Sequence, residues 1–420
     1  MKWLIVLLGL LVIVRLPAQE WNSPDWNIDS IFEEPSQDTP PDGTNTGTAG
    51  TTVKELIKQR GFTFDAAYEF AAGISPGWYE VPWAQDGNNN YYFDRLVKMR
   101  STLSMDAQIS DVFRVKSTVY YEIPNFTLSL GDFFFDYSLC DTVFIRGGKY
   151  DLSWGISPNY AFTNLLARVP ENGYSSDSFI LKADIPTGIG GFQALALTRA
   201  DLLHSSDIKK RDIGFGGKYN LALRRIDMDL GAYYQEGMPL RGFLSLKTTL
   251  GNTELYSEGL CAIDVRQASD PSGAVNLGFS RDFFNGKFSV NGELFYNAEK
   301  NAFWYRPETT TREAETAPFI DGLNGALNLL YRFEGKGNPR LFFQTRIAPW
   351  QSSAQIIPGF RLNPLSNIEL YFALPMALGS KDGYYYSNTV TRDTTLDKAL
   401  PFCVMLLLTL KGDVQFGYYY

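Results

Sequence analysis

The chain has 420 residues, 45% apolar and 15% aromatic, a formal charge of -8 and a mean hydropathy of -0.17. An acidic chain of this kind argues against nucleic acid as a partner. One histidine (His204) and three widely separated cysteines (Cys140, Cys261, Cys403) provide neither a disulfide framework nor a metal knuckle, and no cofactor motif occurs, whether phosphate loop, H-E-x-x-H pair or calcium loop.

Residues 1–18 have the form of an export signal. Lys2 supplies the positive start, Trp3 to Val14 the apolar run, and Ala18 a small residue before a cut. The run is too short to span a bilayer as a helix, and Arg15 interrupts it. No cysteine lies near the cut, so lipoprotein processing is not expected. Loss of Lys2 and Arg15 takes the charge from -8 to -10. Residues 19–60 form an acidic tail rich in Asp, Glu, Pro, Thr and Gly, too poor in apolar surface to offset its ordering entropy, and are expected to be disordered. Trp21 and Trp26 are stray aromatics in it, and Val53 to Arg60 could form two helical turns before Gly61.

From residue 61 to 420 a period of two repeats, which is the signature of strands lying between unlike environments. Phe62, Phe64, Ala66, Tyr68 and Phe70 oppose Thr63, Asp65 and Glu69. Phe93, Val97, Met99, Leu103, Met105, Ala107 and Ile109 alternate with Asp94, Lys98, Arg100, Thr102, Ser104, Asp106 and Gln108. The pattern returns at 113–122, 225–235, 287–296 and 367–374, and ends with Phe402 to Tyr420. Residues 125–137 and 192–203 alternate poorly, and strands are placed there from spacing alone. Short turns (Ser110-Asp111, Leu223-Arg224, Gly251-Asn252, Asn285-Gly286, Pro364 to Asn367) take turns with long connectors at 75–92, 156–175, 200–210, 299–320 and 379–399. Asn285-Gly286 is the strongest hairpin signal, because both residues tolerate the positive φ of a type I′ turn.

These features predict an all-β chain. The expected fold is a transmembrane antiparallel up-and-down β-barrel of about 18 strands, following the signal peptide and the tail. A soluble β-sandwich alternates too, but the export signal, the loop-length asymmetry and the persistently polar face weigh against it. In lipid the barrel must close. At this width its side chains cannot fill it, so a watery lumen follows unless loops plug it.

The chain resembles the bacterial outer-membrane porins over about residues 61–420. Ile145-Arg146-Gly147-Gly148-Lys149-Tyr150-Asp151-Leu152-Ser153-Trp154-Gly155 looks like the wall segment of large substrate-specific porins of the alginate-export and phosphate-porin type, where a basic, Gly-containing strand leads into the loop that narrows the pore. The last strand is similar to the porin assembly signal in its alternating aromatics and Tyr420, with Gln415 where the usual pattern has Gly. The resemblance implies the outer membrane, its lipid and the barrel-assembly machinery as surroundings, and is compatible with a homo-oligomer.

Charges facing the lumen select what passes. The expected pore-lining residues are Lys98, Arg100, Arg114, Lys116 and Lys149 on early staves. Opposite them, Asp227, Asp229, Glu254, Glu258 and Glu293 would complete a transverse field, or the charges could simply pair with one another. Arg146 and Lys149 alternate to opposite faces, and a bulge at Gly147-Gly148 would bring both inward. The connector from Ile156 to Tyr174, the third on the long-loop side, is the constriction loop by resemblance. It holds Phe162, Leu165, Leu166 and Val169, with Asn164, Arg168 and Glu171 as its polar residues. Tyr91, Tyr92, Trp154, Trp350, Tyr418 and Tyr420 are expected to anchor the wall at the membrane interface. Gly73-Ile74-Ser75-Pro76-Gly77 matches G-x-S-x-G without the strand-turn-helix elbow that motif needs, so no enzyme is expected. The resemblance and the watery lumen imply a channel for passive diffusion of small polar or charged solutes; the alternative is a surface adhesin or structural anchor with a plugged lumen.

Overall fold

A computed structural model describes residues 61–80, 91–140, 142–150, 152–160, 162–163, 179–198, 213–236, 239–263, 271–298, 321–387, 392–393 and 398–419. The expectations for the export signal, the tail, Trp21, Trp26, His204 and Tyr420 lie outside these residues.

The strands are β1 (Gly61–Trp78), β2 (Tyr91–Ser110), β3 (Phe113–Ile123), β4 (Thr127–Leu139), β5 (Val143–Lys149) and β6 (Phe179–Thr187). They continue as β7 (Gly190–Thr198), β8 (Ile213–Leu223), β9 (Ile226–Gln235), β10 (Leu240–Leu250), β11 (Thr253–Ile263) and β12 (Ser272–Phe283). Then come β13 (Phe288–Asn297), β14 (Gly322–Arg332), β15 (Arg340–Ala348) and β16 (Ser353–Leu365). The last two staves are each interrupted once: β17 runs as Ile368–Ala373 and Met376–Gly379, and β18 as Phe402–Cys403 and Met405–Tyr419. Pro375, which has no N–H to give a ladder, accounts for the first break. At the second, the N–H of Val404 reaches the carbonyl of Pro76 at 2.9 Å.

Each stave pairs antiparallel with its neighbour in sequence, and β18 closes onto β1 from Gly61 opposite Tyr419 to Gly77 opposite Cys403. The product is a closed 18-strand antiparallel barrel with no free edge. Alternate residues face outward and are apolar. Leu230, Leu277 and Leu294, each at mid-strand, are more than half exposed. That much exposed leucine is a liability in water and ordinary in lipid. No helix among the described residues is long and apolar enough to cross a membrane; here the strands cross.

The loop asymmetry holds in outline only, because the end opposite the short turns also carries short connectors at 124–126, 236–239 and 349–352. At one end the turns are short, for example 111–112, 188–189, 224–225, 251–252 and 366–367, and both ends of the strand chain lie there. The other end carries the connectors 79–90, 150–178, 199–212, 298–321 and 380–401. The Asn285-Gly286 hairpin exists, but its loop is 284–287, with positive φ at Phe284, Asn285 and Gly286, so the two-residue turn is replaced by a longer one.

The two poorly alternating regions are strands for different reasons. In β4 the ladder to β3 slips between Ser117 and Val119, so Phe134 turns inward while Phe133 and Phe135 face out. In β7 the inward Leu195 and Leu197 are buried, so both faces are apolar and the polarity period vanishes. The bulge expected at Gly147-Gly148 is absent: β5 keeps continuous register with β4 and β6. Lys149 therefore stays on the outward register, opposite Phe133, and its ammonium donates to the carbonyl of Leu130 at 2.6 Å, beside the β4 bulge. The pore-lining expectation for Lys149 is corrected accordingly.

Candidate functional site

The connector after β5 enters the lumen and lies against the inner face of β10 to β14. Its backbone and short polar side chains meet two carboxylates on alternate staves. Glu258 of β11 accepts from the N–H of Ile156 (2.7 Å) and of Ser157 (3.2 Å), and from the hydroxyls of Thr163 (2.8 Å) and Ser245 (2.9 Å). Glu293 of β13 accepts from Ser157 Oγ (2.8 Å), the N–H and Nδ2 of Asn159 (3.1 and 2.9 Å), Tyr256 OH (2.9 Å) and Asn276 Nδ2 (3.2 Å). Glu258 is 0% and Glu293 3% exposed. A carboxylate this buried is tolerated only when its lone pairs are met, and neutral donors meet them here.

A seam of amides completes the joint. Asn328 Nδ2 donates to Asn159 Oδ1 at 2.7 Å, and Asn159 Nδ2 donates to Asn291 Oδ1 at 2.8 Å. Aromatic packing flanks it: Tyr160 stacks on Phe295 at 4.8 Å, Phe162 lies 5.0 Å from the same ring, and Trp154 lies 5.5 Å from Phe243. Trp154 also donates to Gln193 Oε1 at 2.7 Å. Gly155 makes the turn with φ +103, and a Cβ there would run into Thr163 and close on Glu258.

Trp154 is thus a buried lumen residue, 1% exposed, and the expectation of a membrane anchor is corrected. Tyr91 and Trp350 are largely exposed at the wall ends, whereas Tyr92 sits on the inward register, opposite Gly77. Asn164, Arg168 and Glu171, with Leu165, Leu166 and Val169, lie outside the described residues. Ser75 of the G-x-S-x-G match sits inside β1 with its hydroxyl 2.8 Å from Cys403 Sγ, far from any elbow.

Lys98, Arg100, Arg114 and Lys116 face inward on β2 and β3, and the first three keep 40–46% of their side-chain surface exposed. They are not a free basic wall. Arg100 and Lys98 lie 2.6 and 3.5 Å from Glu122, and Arg114 forks onto Asp106. Lys116 stands opposite Asp106 in register. Arg146 pairs with Asp136 at 2.6 Å and lies over the Phe134 ring at 4.4 Å. The acidic residues across the barrel have cations of their own: Asp229 with Lys218 at 3.0 Å and Glu254 with Lys247 at 3.0 Å, while Asp227 faces Lys247 in register. Segregated walls are therefore replaced by pairs along neighbouring staves, with Glu258 and Glu293 covered by the loop.

The expected pore-lining set included both glutamates but missed Ser157, Asn159, Asn276, Asn291 and Asn328. A signal existed: inward-facing amides at 276, 291, 324 and 328 on adjacent staves, where a wet wall would carry charges. Among the described residues no cluster suited to a metal ion occurs.

No family model matches the chain, and no curated protein sequence matches it. Solved structures do. OpdQ of Pseudomonas aeruginosa aligns with a TM-score of 0.53 at 8% identity, covering 84% of this chain and 98% of that one. OpdO of the same species gives 0.52 at 10%, covering 84% and 97%. OccAB4 of Acinetobacter baumannii gives 0.51 at 9%, covering 85% and 100%. At such identities the likeness is one of fold.

Proposed function

We propose that the protein is a bacterial outer-membrane porin for passive diffusion of small polar or charged solutes, narrowed by the β5–β6 loop and doing no chemistry of its own. The observation that carries this is the contrast between the two halves of the inner wall. The loop seals the β10 to β14 side. Paired charges on β1 to β3 and β18 stay open to water, with Glu69 and Lys411 3.8 Å apart and both more than half exposed. A wide closed wall with a wet, charged strip along it is a conduit. Its fold neighbours, outer-membrane porins, support the same reading. The likeness of residues 145–155 to alginate-export and phosphate porins belongs to this proposal, since that stretch leads into the inserted loop. So do insertion by the barrel-assembly machinery through β18 and assembly into a homo-oligomer.

The test is a planar-bilayer recording on protein first verified as folded by heat-modifiable gel migration. Discrete conductance steps are expected. A folded protein that stays silent would instead support a plugged barrel serving as adhesin or anchor, to which the inserted loop would then be the plug.

A further inference from the structure

The outer face of the barrel is almost free of charge. Among the described residues, charged side chains hold outward-facing ladder positions at three places: Arg95, Lys149 and Arg281. Arg95 and Lys149 lie toward the long-loop end, and the ammonium of Lys149 is taken by the Leu130 carbonyl. Arg281 stands alone at the short-turn end, opposite Thr253 on one side and Val290 on the other. Its face of β12 carries Leu277 (58% exposed) and Phe279 toward the membrane middle and Phe283 toward the rim.

The guanidinium of Arg281 lies over the Phe283 ring, 4.7 Å from its centre, and among the described residues it meets no carboxylate. Beside it, between the turns 251–252 and 284–287, is a notch of about 480 Å³ lined by Asn252, Arg281, Phe283, Phe284 and Asn285. Phe284 projects at the tip, 74% exposed with φ +52. Asp282 also borders the notch, but its carboxylate belongs to the inward register and accepts from Ser289 Oγ at 2.5 Å. A cation on a lipid-facing wall, at the level where aromatics meet headgroups, is placed to reach a headgroup anion. The planar guanidinium fork matches phosphate in geometry and charge.

We propose that this notch is a phospholipid site. Arg281 takes the headgroup phosphate of a glycerophospholipid in the leaflet at the short-turn end, and the acyl chains lie against Phe279 and Leu277. The proposal rests on the barrel spanning a membrane, not on its conducting.

The test is native mass spectrometry of the purified full-length protein in a mild nonionic detergent, with phosphatidylglycerol or diacylglycerol added. Wild type is expected to retain phosphatidylglycerol and not diacylglycerol. Arg281→Ala should weaken retention roughly tenfold, the scale of one charge-assisted hydrogen bond, and Arg281→Lys should restore part of it. Arg225→Ala, which removes a charge from another turn of the same rim, should leave retention unchanged. Equal retention by Arg281→Ala, equal loss with Arg225→Ala, equal retention of diacylglycerol, or complete displacement of the lipid by excess inorganic phosphate would each overturn the proposal. A silent barrel that holds lipid through Arg281 overturns only the transport function; a conducting barrel indifferent to Arg281 overturns only the lipid site.

Discussion

Glu293 and Glu258 fasten the β5–β6 connector to the inner wall. Each gathers its donors from the loop and from the wall at once, so losing one carboxylate strands several buried N–H and O–H groups at about 1–3 kcal/mol apiece. In Glu293→Gln the amide keeps one acceptor but turns an NH2 toward Asn159, Tyr256, Ser157 or Asn276. The loop should come off the wall and single-channel conductance should rise. Glu334→Gln is the contrasting case. Its partner Lys287, 2.7 Å away at the short-turn rim, holds the Glu334 carboxyl below the usual range by a direct hydrogen bond. A depressed carboxyl adds stability above its unfolded pKa and loses it as pH falls through the folded value. Here solvent screens the pair, so conductance and thermal stability should be unchanged. Period-two alternation over 287–296 was enough to put Glu293 on the inner face. What it holds was not legible, because Ser157 is 136 positions from Glu293 and no local pattern encodes such a meeting.

At the scale of elements, legibility follows from how unlike a strand's two surroundings are. β2, β9, β13 and β18 separate lipid from water or from a polar seam, and their alternation marks them. β7 separates lipid from the apolar underside of the loop, so it reads as featureless; β4 loses its phase at a bulge. The same logic makes β18 asymmetric to substitution. Leu408 faces out between Ala72 of β1 and Leu370 of β17. Leu408→Arg should cost about 2–4 kcal/mol in a bilayer, seen as a lower urea midpoint for unfolding from liposomes. The neighbouring wet-face change Lys411→Gln should shift that midpoint little. The loop also divides into parts. Its described anchor is 156–160 with 162–163, so deleting 157–163 should raise conductance more than deleting 164–170. Equal effects would place the narrowing beyond the anchor.

Over the whole molecule, charge compensation along neighbouring staves decides how the proposed passage would select. Opposed walls of one sign would rectify permeants by charge, whereas Arg100 with Glu122, Arg114 with Asp106 and Lys411 with Glu69 present both signs within a few ångströms. At physiological ionic strength the Debye length is about 8 Å, so such pairs are largely neutral to an ion in the middle of the passage. The reversal potential of the wild type in a potassium chloride gradient should therefore lie near zero. Arg100→Ala leaves Glu122 with Lys98 alone, at the longer distance of 3.5 Å, and should move the potential toward cation selectivity. Glu293→Gln discriminates further. If the carboxylate is sealed beneath the loop, its removal changes conductance first and selectivity only as far as the widened passage alters the average. A shift toward anions with conductance unchanged would mean that permeants already touch Glu293, and that the loop leaves the β13 wall open.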